Sequence, residues 1–434
     1  MKILHIAAND ITGGAARAAN QLHRGLRGLG ITSEMLVSDK RSDDPLVKTP
    51  NFSRRVDHRL ERFSRRKVVS LEERRIAKLR QPGSEFFSTP RTAYVGFWRS
   101  AVSDASIVNL HLVARFVDYK DFFESLPRSM PLVWTMHDIN AFTGGCHYAN
   151  GCEKFVTHCG ACPQIHSQRS QDTAWHTFAL KADLYANLDR KRVVLIAASS
   201  WMMREISRSA LLGKYRIEHI PYGIDLKVFR PQGHHAIKSA FGIKAHERAI
   251  LFVSDVINLR RKGSDLFLSA VRELTNKTDV VLISVGNGAL PKIDGIRSLH
   301  LGRIESDFML SLVYNVADVF VIPSREEGFG LTAVEAIACG CPVVGFAVGG
   351  IPDIVEDGQT GYLVKPFEIR ELKDAMEKAI ERRDEITTAC RAHAERFFSM
   401  EQQARAYTKL YGQLLETHMA LGAAETAKSA ARTN

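Results

Sequence analysis

The stretch that most restricts the fold is Asp318-Val-Phe-Val-Ile-Pro-Ser-Arg-Glu-Glu-Gly-Phe-Gly-Leu-Thr-Ala-Val-Glu-Ala-Ile-Ala-Cys-Gly-Cys-Pro-Val-Val-Gly345. Val319–Ile322 is a short unbroken apolar run, as expected of a strand buried on both faces. A glycine-bearing turn follows, then a helix from near Leu331 and a second apolar strand at Val343–Val344. Strand, helix and strand in this order make a βαβ unit, the building block of helix-covered parallel sheets.

Gly328 and Gly330 let the backbone approach a ligand closely, and a helix beginning near Leu331 points unpaired amides at it. That is an anion site of the phosphate-binding kind. Glu327 precedes the turn and Glu335 lies eight residues on, at the end of the first helical turn. Two carboxylates beside an anion cradle would repel the anion, so they fit better as acceptors for hydroxyl groups. A phosphate flanked by polyols describes a nucleotide sugar. The alternative is a solvated acidic turn in an ordinary βαβ unit.

The phrase from Glu327 to Glu335, followed by Ala-Ile-Ala-Cys-Gly-Cys-Pro-Val-Val, closely resembles the signature of retaining glycosyltransferases of family 4. The resemblance implies a GT-B fold: α/β, with two Rossmann-like domains facing across a cleft and a C-terminal helix crossing back to the first domain. It also implies that Glu327 contacts the donor sugar and Glu335 the ribose, with Gly328, Phe329, Gly330 and Leu331 at the donor.

A chain of 434 residues can bury two full cores. Its 45% hydrophobic and 25% charged content fits a globular protein, and no run of about 18 apolar residues offers a membrane span. The chain enters a strand at Lys2 with no signal peptide before it, so a cytoplasmic protein is expected. The net charge of +11 is unevenly spread. Residues 52–82 hold eleven Lys and Arg against four Asp and Glu, a net +7. This segment reads as helical, with Leu60, Phe63, Val68, Leu71, Ile76 and Leu79 interrupting the basic background. It is either a solvated helical excursion or a surface that rests on anionic lipid headgroups at the inner face of the cell membrane. Nucleic acid is not an expected partner, because no aromatic platform, zinc finger or RNA-binding signature accompanies the charge.

Gly13-Gly14 stands at the first strand-to-helix turn, where a Rossmann-like unit holds a phosphate. The resemblance makes this a loop facing the donor diphosphate and the acceptor. The strand Leu132–Met136 ends in His137-Asp138, and α/β folds place ligands at such strand ends. By resemblance His137 lies near the acceptor and the reacting sugar, with Asp138 beside it. Cys146, Cys152, Cys159 and Cys162 fall within 17 residues. In a chain expected to be cytoplasmic they read as free thiols or as a structural zinc site, with His147 and His158 as alternative ligands. From Met136 to Cys162-Pro-Gln the phrase resembles family 4 enzymes of bacterial exopolysaccharide clusters, including colanic-acid-type transferases. GT-B enzymes use no catalytic metal, so any metal here would be structural.

The first domain is expected over 1–230 and the second over 237–395, with a crossover helix at 400–418 and a flexible tail at 420–434. Tyr222 stands where family members usually carry Asn in Pro-Asn-Gly-Ile-Asp. Past the strand Ala249–Ser254, Arg260, Arg261 and Lys262 suit a diphosphate. The resemblance assigns the clamp to Lys262 and to either Arg260 or Arg261. Gly286 opens another turn near the nucleotide, and Arg303 and Ile304 follow the strand end whose backbone contacts the base in family members. These readings converge on a transferase that moves a sugar from a nucleotide-diphosphate sugar to a glycan acceptor, a lipid-linked oligosaccharide in bacterial surface or exopolysaccharide biosynthesis. Glu327, His137 and Lys262 are its expected catalytic residues. A GT-B sugar-nucleotide epimerase and a non-catalytic zinc-stapled basic binding protein are the alternatives.

Overall fold

The structure is a computed structural model that describes residues 1–52, 56–80 and 83–432. Its strands are β1 (Lys2–Asn9), β2 (Thr32–Asp39), β3 (Val47–Lys48), β4 (Ile107–Leu110), β5 (Leu132–Met136), β6 (Val193–Ala197) and β7 (Arg216–His219) in one sheet. A second sheet holds β8 (Arg248–Val256), β9 (Val280–Asn287), β10 (Arg297–His300), β11 (Val319–Ile322), β12 (Val343–Phe346) and β13 (Gly361–Val364). All the strand pairings within both sheets are parallel.

The chain divides into two compact units. One comprises Met1–Pro82, Phe86–Ile220 and the residues from Glu401 onward; the other comprises Gly83–Glu85 and Pro221–Met400. In the first unit the strand order is β3-β2-β1-β4-β5-β6-β7, and it reverses direction between β1 and β4. Alternate residues of these strands fill two cores. Leu4, Ile6, Val108, Leu110, Trp134 and Leu195 point to one face. Ile3, Ile107, Val133, Val194 and Ile196 point to the other, against Leu22 and Leu26 of the helix Gly14–Gly28 and Tyr407 and Tyr411 near the C-terminus. Two buried hydrogen bonds fix those tyrosines: Tyr407 OH pairs with Thr135 Oγ1 at 2.9 Å, and Asn109 Nδ2 donates to Tyr411 OH at 2.8 Å. In the second unit the order is β10-β9-β8-β11-β12-β13, reversing between β8 and β11. In open α/β sheets such reversals open the crevice where ligands bind, at the carboxyl ends of the strands.

Residues 221–230, grouped by the sequence with the first domain, pack with the second unit. Ile224 N donates to Phe398 O, Met400 N returns a bond to Ile224 O, and Arg391 Nη1 donates to Phe229 O. The helix expected over 400–418 runs as Met400–Arg432, through residues read as a flexible tail. Alanine is the strongest helix former, and its abundance after Ala420 lets the helix continue. Residues 433–434 of that tail lie outside the described residues, as do 53–55 and 81–82 of the basic segment. The rest of that segment forms the helix Val56–Leu79. No helix among the described residues is long and apolar enough to cross a membrane.

Candidate active site

The second unit's reversal point brings together the loop after β8 and the loop after β11. A short 3-10 turn, Arg260–Lys262, ends at Gly263, whose φ of 70° is left-handed. A Cβ at Gly263 would collide with the Pro323 carbonyl, so only glycine lets this turn press against the end of β11. Arg325 braces the same turn: its amide donates to Arg261 O at 2.7 Å and its Nη1 to Arg260 O at 2.8 Å. Its guanidinium also forks onto Asp265 at 2.7 and 2.6 Å.

This packing delivers two cations to Glu327, which is only 7% exposed. Lys262 Nζ donates to Glu327 Oε2 at 2.6 Å, Ser324 Oγ donates to the same oxygen at 3.1 Å, and Arg261 Nη1 lies 3.5 Å from it. Burial pushes the Glu327 carboxyl up, but Lys262, Arg261 and Ser324 outweigh it and hold its pKa below the ordinary value. Lys262 is pulled below its own ordinary value by burial first, and by Arg261, against the opposing pull of Glu327. Arg261 also pairs with Glu85 and donates to Glu326 O at 2.9 Å. Of the two candidate arginines, Arg261 is therefore the one beside Glu327, while the Arg260 side chain is exposed.

Gly330 (φ 113°) caps the helix Leu331–Ala338, so its first amides face the Glu327 loop. Phe329 is buried against Tyr222 with ring centroids 4.7 Å apart. Tyr222, the departure from the family's Asn, thus props the loop from behind. Gly328 and Leu331 are buried with it. Glu335 is fully buried and accepts from Tyr314 OH at 2.9 Å. Gly286 N donates to Gly302 O at 2.8 Å, tying the end of β9 to the loop holding Arg303, which is exposed, and Ile304, which is half-buried.

In the first unit Gly13 (φ 82°) caps the helix Gly14–Gly28 directly after β1. His137 follows β5, and its Nε2 lies 3.0 Å from His111 Nδ1. Burial pulls His137 down to about 4, against the opposing pull of Asp138. Asp138 accepts from His147 Nδ1 at 2.6 Å and from Asn140 N at 2.9 Å. Burial raises this carboxyl, but His147 outweighs it, so Asp138 titrates below its ordinary value.

Cys146, Cys152, Cys159 and Cys162 line one small cavity and are free thiols. Among the described residues, no three His, Cys, Asp or Glu side chains are arranged to hold a metal ion. Burial, with the neighbouring thiols, raises Cys146 and Cys162 and pushes Cys159 up to about 11. The sequence reading missed Lys181, which is fully buried beside these thiols and donates to Thr143 O at 3.0 Å. Burial pulls its pKa down to about 8. Ser324, Arg325 and Tyr314 were missed as well. Tyr314 acts across 21 residues and Arg325 across 60, while Ser324 acts across 3; Ser324 and Arg325, just before the Glu326-Glu327 pair, lay where a local reading could have found them.

Two parallel, doubly wound units define the fold class, which is the GT-B architecture. Residues 247–382 match the family model described as Glycosyl transferases group 1. D-inositol 3-phosphate glycosyltransferase of Mycobacterium tuberculosis is 38% identical over 172 residues, which is 37% of this chain. The chain spans 35% of the length of that curated relative. Among solved structures, sucrose-phosphate synthase of Thermosynechococcus elongatus superposes with a TM-score of 0.63 at 19% identity, over 96% of this chain and 100% of that one. Anabaena HepE, in complex with UDP and glucose, gives 0.64 at 17% identity over 95% and 99%. WaaG, a glycosyltransferase involved in lipopolysaccharide biosynthesis, gives 0.59 at 16% over 93% and 98%.

Proposed function

We propose that the chain is a retaining glycosyltransferase that moves a sugar from a nucleoside-diphosphate sugar to a glycan acceptor. The observation that carries the reading is Glu327, held ionised by Lys262 and Arg261 at a reversal point beside the Gly330-capped helix. Charge develops on the leaving diphosphate as the anomeric carbon becomes cationic. Lys262 has three ammonium protons and commits one to Glu327. Its other donors, with Arg261 and the amides at the head of Leu331–Ala338, stabilise the departing phosphate. Glu327 takes the donor sugar's hydroxyls and Glu335 the ribose.

The acceptor hydroxyl attacks on the face the phosphate leaves. The bond from the anomeric carbon to the phosphate oxygen breaks with its electron pair going to phosphate. The new glycosidic bond forms, and the hydroxyl proton passes to the leaving phosphate oxygen. No catalytic metal and no covalent enzyme nucleophile take part. HepE's complex with UDP and glucose supports a nucleotide sugar as the co-substrate class.

The acceptor we assign is a lipid-linked oligosaccharide of bacterial surface or exopolysaccharide biosynthesis, reached from an anionic membrane surface. Arg66, Lys67, Arg74 and Arg75 are exposed on the helix Val56–Leu79, alongside exposed Leu60, Phe63, Val68 and Leu71. Basic and apolar groups on one exposed element suit lipid headgroups. The test is transfer from isotopically labelled donors to lipid-linked glycans, with the anomeric configuration of the product read by NMR. Retention is expected. Inversion, or interconversion of free nucleotide sugars without an acceptor, would overturn the reading.

A further inference from the structure

His137 does not stand alone. His5 of β1 and His111, just past β4, form a row with it: His5 Nδ1 lies 2.9 Å from His111 Nε2, and His111 Nδ1 lies 3.0 Å from His137 Nε2. His5 and His111 are buried, and burial pulls the pKa values of both well below the ordinary histidine value. All three rings are thus neutral at neutral pH, with one proton each.

That count leaves two arrangements. Each nitrogen-to-nitrogen contact holds one proton, and His111 has a single proton to offer, so the row must run in one direction throughout. Either every ring is protonated on Nδ1, or every ring is protonated on Nε2. The two differ at the far end. His5 Nε2 is buried and has no hydrogen-bond partner among the described residues. A proton there would be an orphaned buried N–H, rarer in folded proteins than an unsatisfied acceptor. Other ionisable groups near the row do not reverse this. His23 sets its ring edge-on to His5 at 6.1 Å, and its Nδ1 is paired with Ser33 Oγ at 2.7 Å. Asp138 is taken up by His147 and the Asn140 amide.

We infer that His5 and His111 are positioning residues that fix the proton of His137 on Nδ1, so that His137 serves its ligand as a hydrogen-bond donor and not as a base. The consequence rests on the transferase reading. A hydrogen-bond donor at His137 binds an oxygen of its ligand, and the acceptor's proton goes to the leaving phosphate.

The test is long-range proton–nitrogen NMR correlation on the full chain labelled with nitrogen-15 histidine at neutral pH, which separates the two tautomers directly. His5→Leu, His111→Asn and His137→Asn assign the signals by their disappearance. We expect the Nδ1–H pattern on His5, His111 and His137. An Nε2–H or doubly protonated pattern on His137 overturns the inference. This readout needs no turnover, so it stands apart from failure of the transferase reading, which would appear as absent donor binding with the tautomers unchanged. A second arm uses activity. His111→Asn keeps an amide donor where Nδ1 stood and should retain most of the transfer rate. His111→Leu removes it and should lower kcat about tenfold, the scale of one lost hydrogen bond, and mix the His137 tautomers. Equal losses in the two variants would also overturn the inference.

Discussion

Glu327→Gln isolates the charge at the centre of the site, because glutamine keeps the shape and removes the anion. In the wild type a single oxygen takes Lys262 Nζ at 2.6 Å and Ser324 Oγ at 3.1 Å, with Arg261 at 3.5 Å. The amide can still accept one of these bonds, but two cations lose their counter-charge in a site where Glu327 is 7% exposed. Removing one partner of a buried pair costs about 3–5 kcal/mol. The retained acceptor and the second carboxylate on Arg261, Glu85, offset part of that. We therefore expect about 1–3 kcal/mol of lost stability, a Tm fall of a few degrees at roughly 2–4 °C per kcal/mol for a unit of this size. Lys262 loses the group that raises its pKa, so its titration moves further down. Transfer should fall by about 10²–10³ in kcat, the cost of removing one group aimed at transition-state charge. Donor KM should change much less. Calorimetric melting and steady-state rates on the same preparation check both. A rate near wild type in a folded variant would refute the role given to Glu327.

Three further outcomes follow from the same structure. Asp318 accepts from Lys238 Nζ at 2.8 Å and from Ala249 N at 2.6 Å. Burial raises its carboxyl, but His234, Lys238 and the Ala249 amide hold it below the ordinary value. Its stabilisation is present above the unfolded pKa of about 3.9 and is lost as pH falls through the folded one, so Asp318→Asn should lower Tm at neutral pH and flatten its acid dependence. Gly263→Ala forces a Cβ into the Pro323 carbonyl at a left-handed φ. It should cost at least about 1–3 kcal/mol and displace Lys262, seen as a lower Tm with weaker donor binding. Replacing Arg66, Lys67 and Arg74 by Ala should weaken binding to phosphatidylglycerol vesicles about a hundredfold, at roughly 1 kcal/mol per basic residue. Equal binding to uncharged vesicles would refute the headgroup reading.

Much of the fold was legible because parallel strands buried on both faces appear as apolar runs, as at Val319–Ile322 and Leu132–Met136. Glu327 and Glu335 stood out because they lie eight residues apart in one contiguous stretch, and Lys262 because it ends a run of three basic residues just past a strand. What stayed hidden lies in long-range contacts. His5, His111 and His137 sit on separate strand segments, and nothing in their spacing signals a row. Lys181 reads as one more lysine on a surface helix until the loop Asn140–Thr143 closes over it. The cysteine spacing put four thiols within 17 residues, and they line one small cavity. Tyr222 looked like a lost family residue, whereas its ring packs on Phe329.

The most direct test of the central claim is a thermal-shift panel of UDP-, GDP-, ADP- and TDP-sugars with the free nucleoside diphosphates, run on wild type and on Lys262→Met. A ligand bound only by the folded state at a hundred times its Kd adds about 2.7 kcal/mol, a rise of roughly 5–10 °C for a unit of this size. The account predicts such a rise for one nucleotide family in the wild type and its loss in Lys262→Met. A flat wild-type panel, or a rise that survives the substitution, would contradict it.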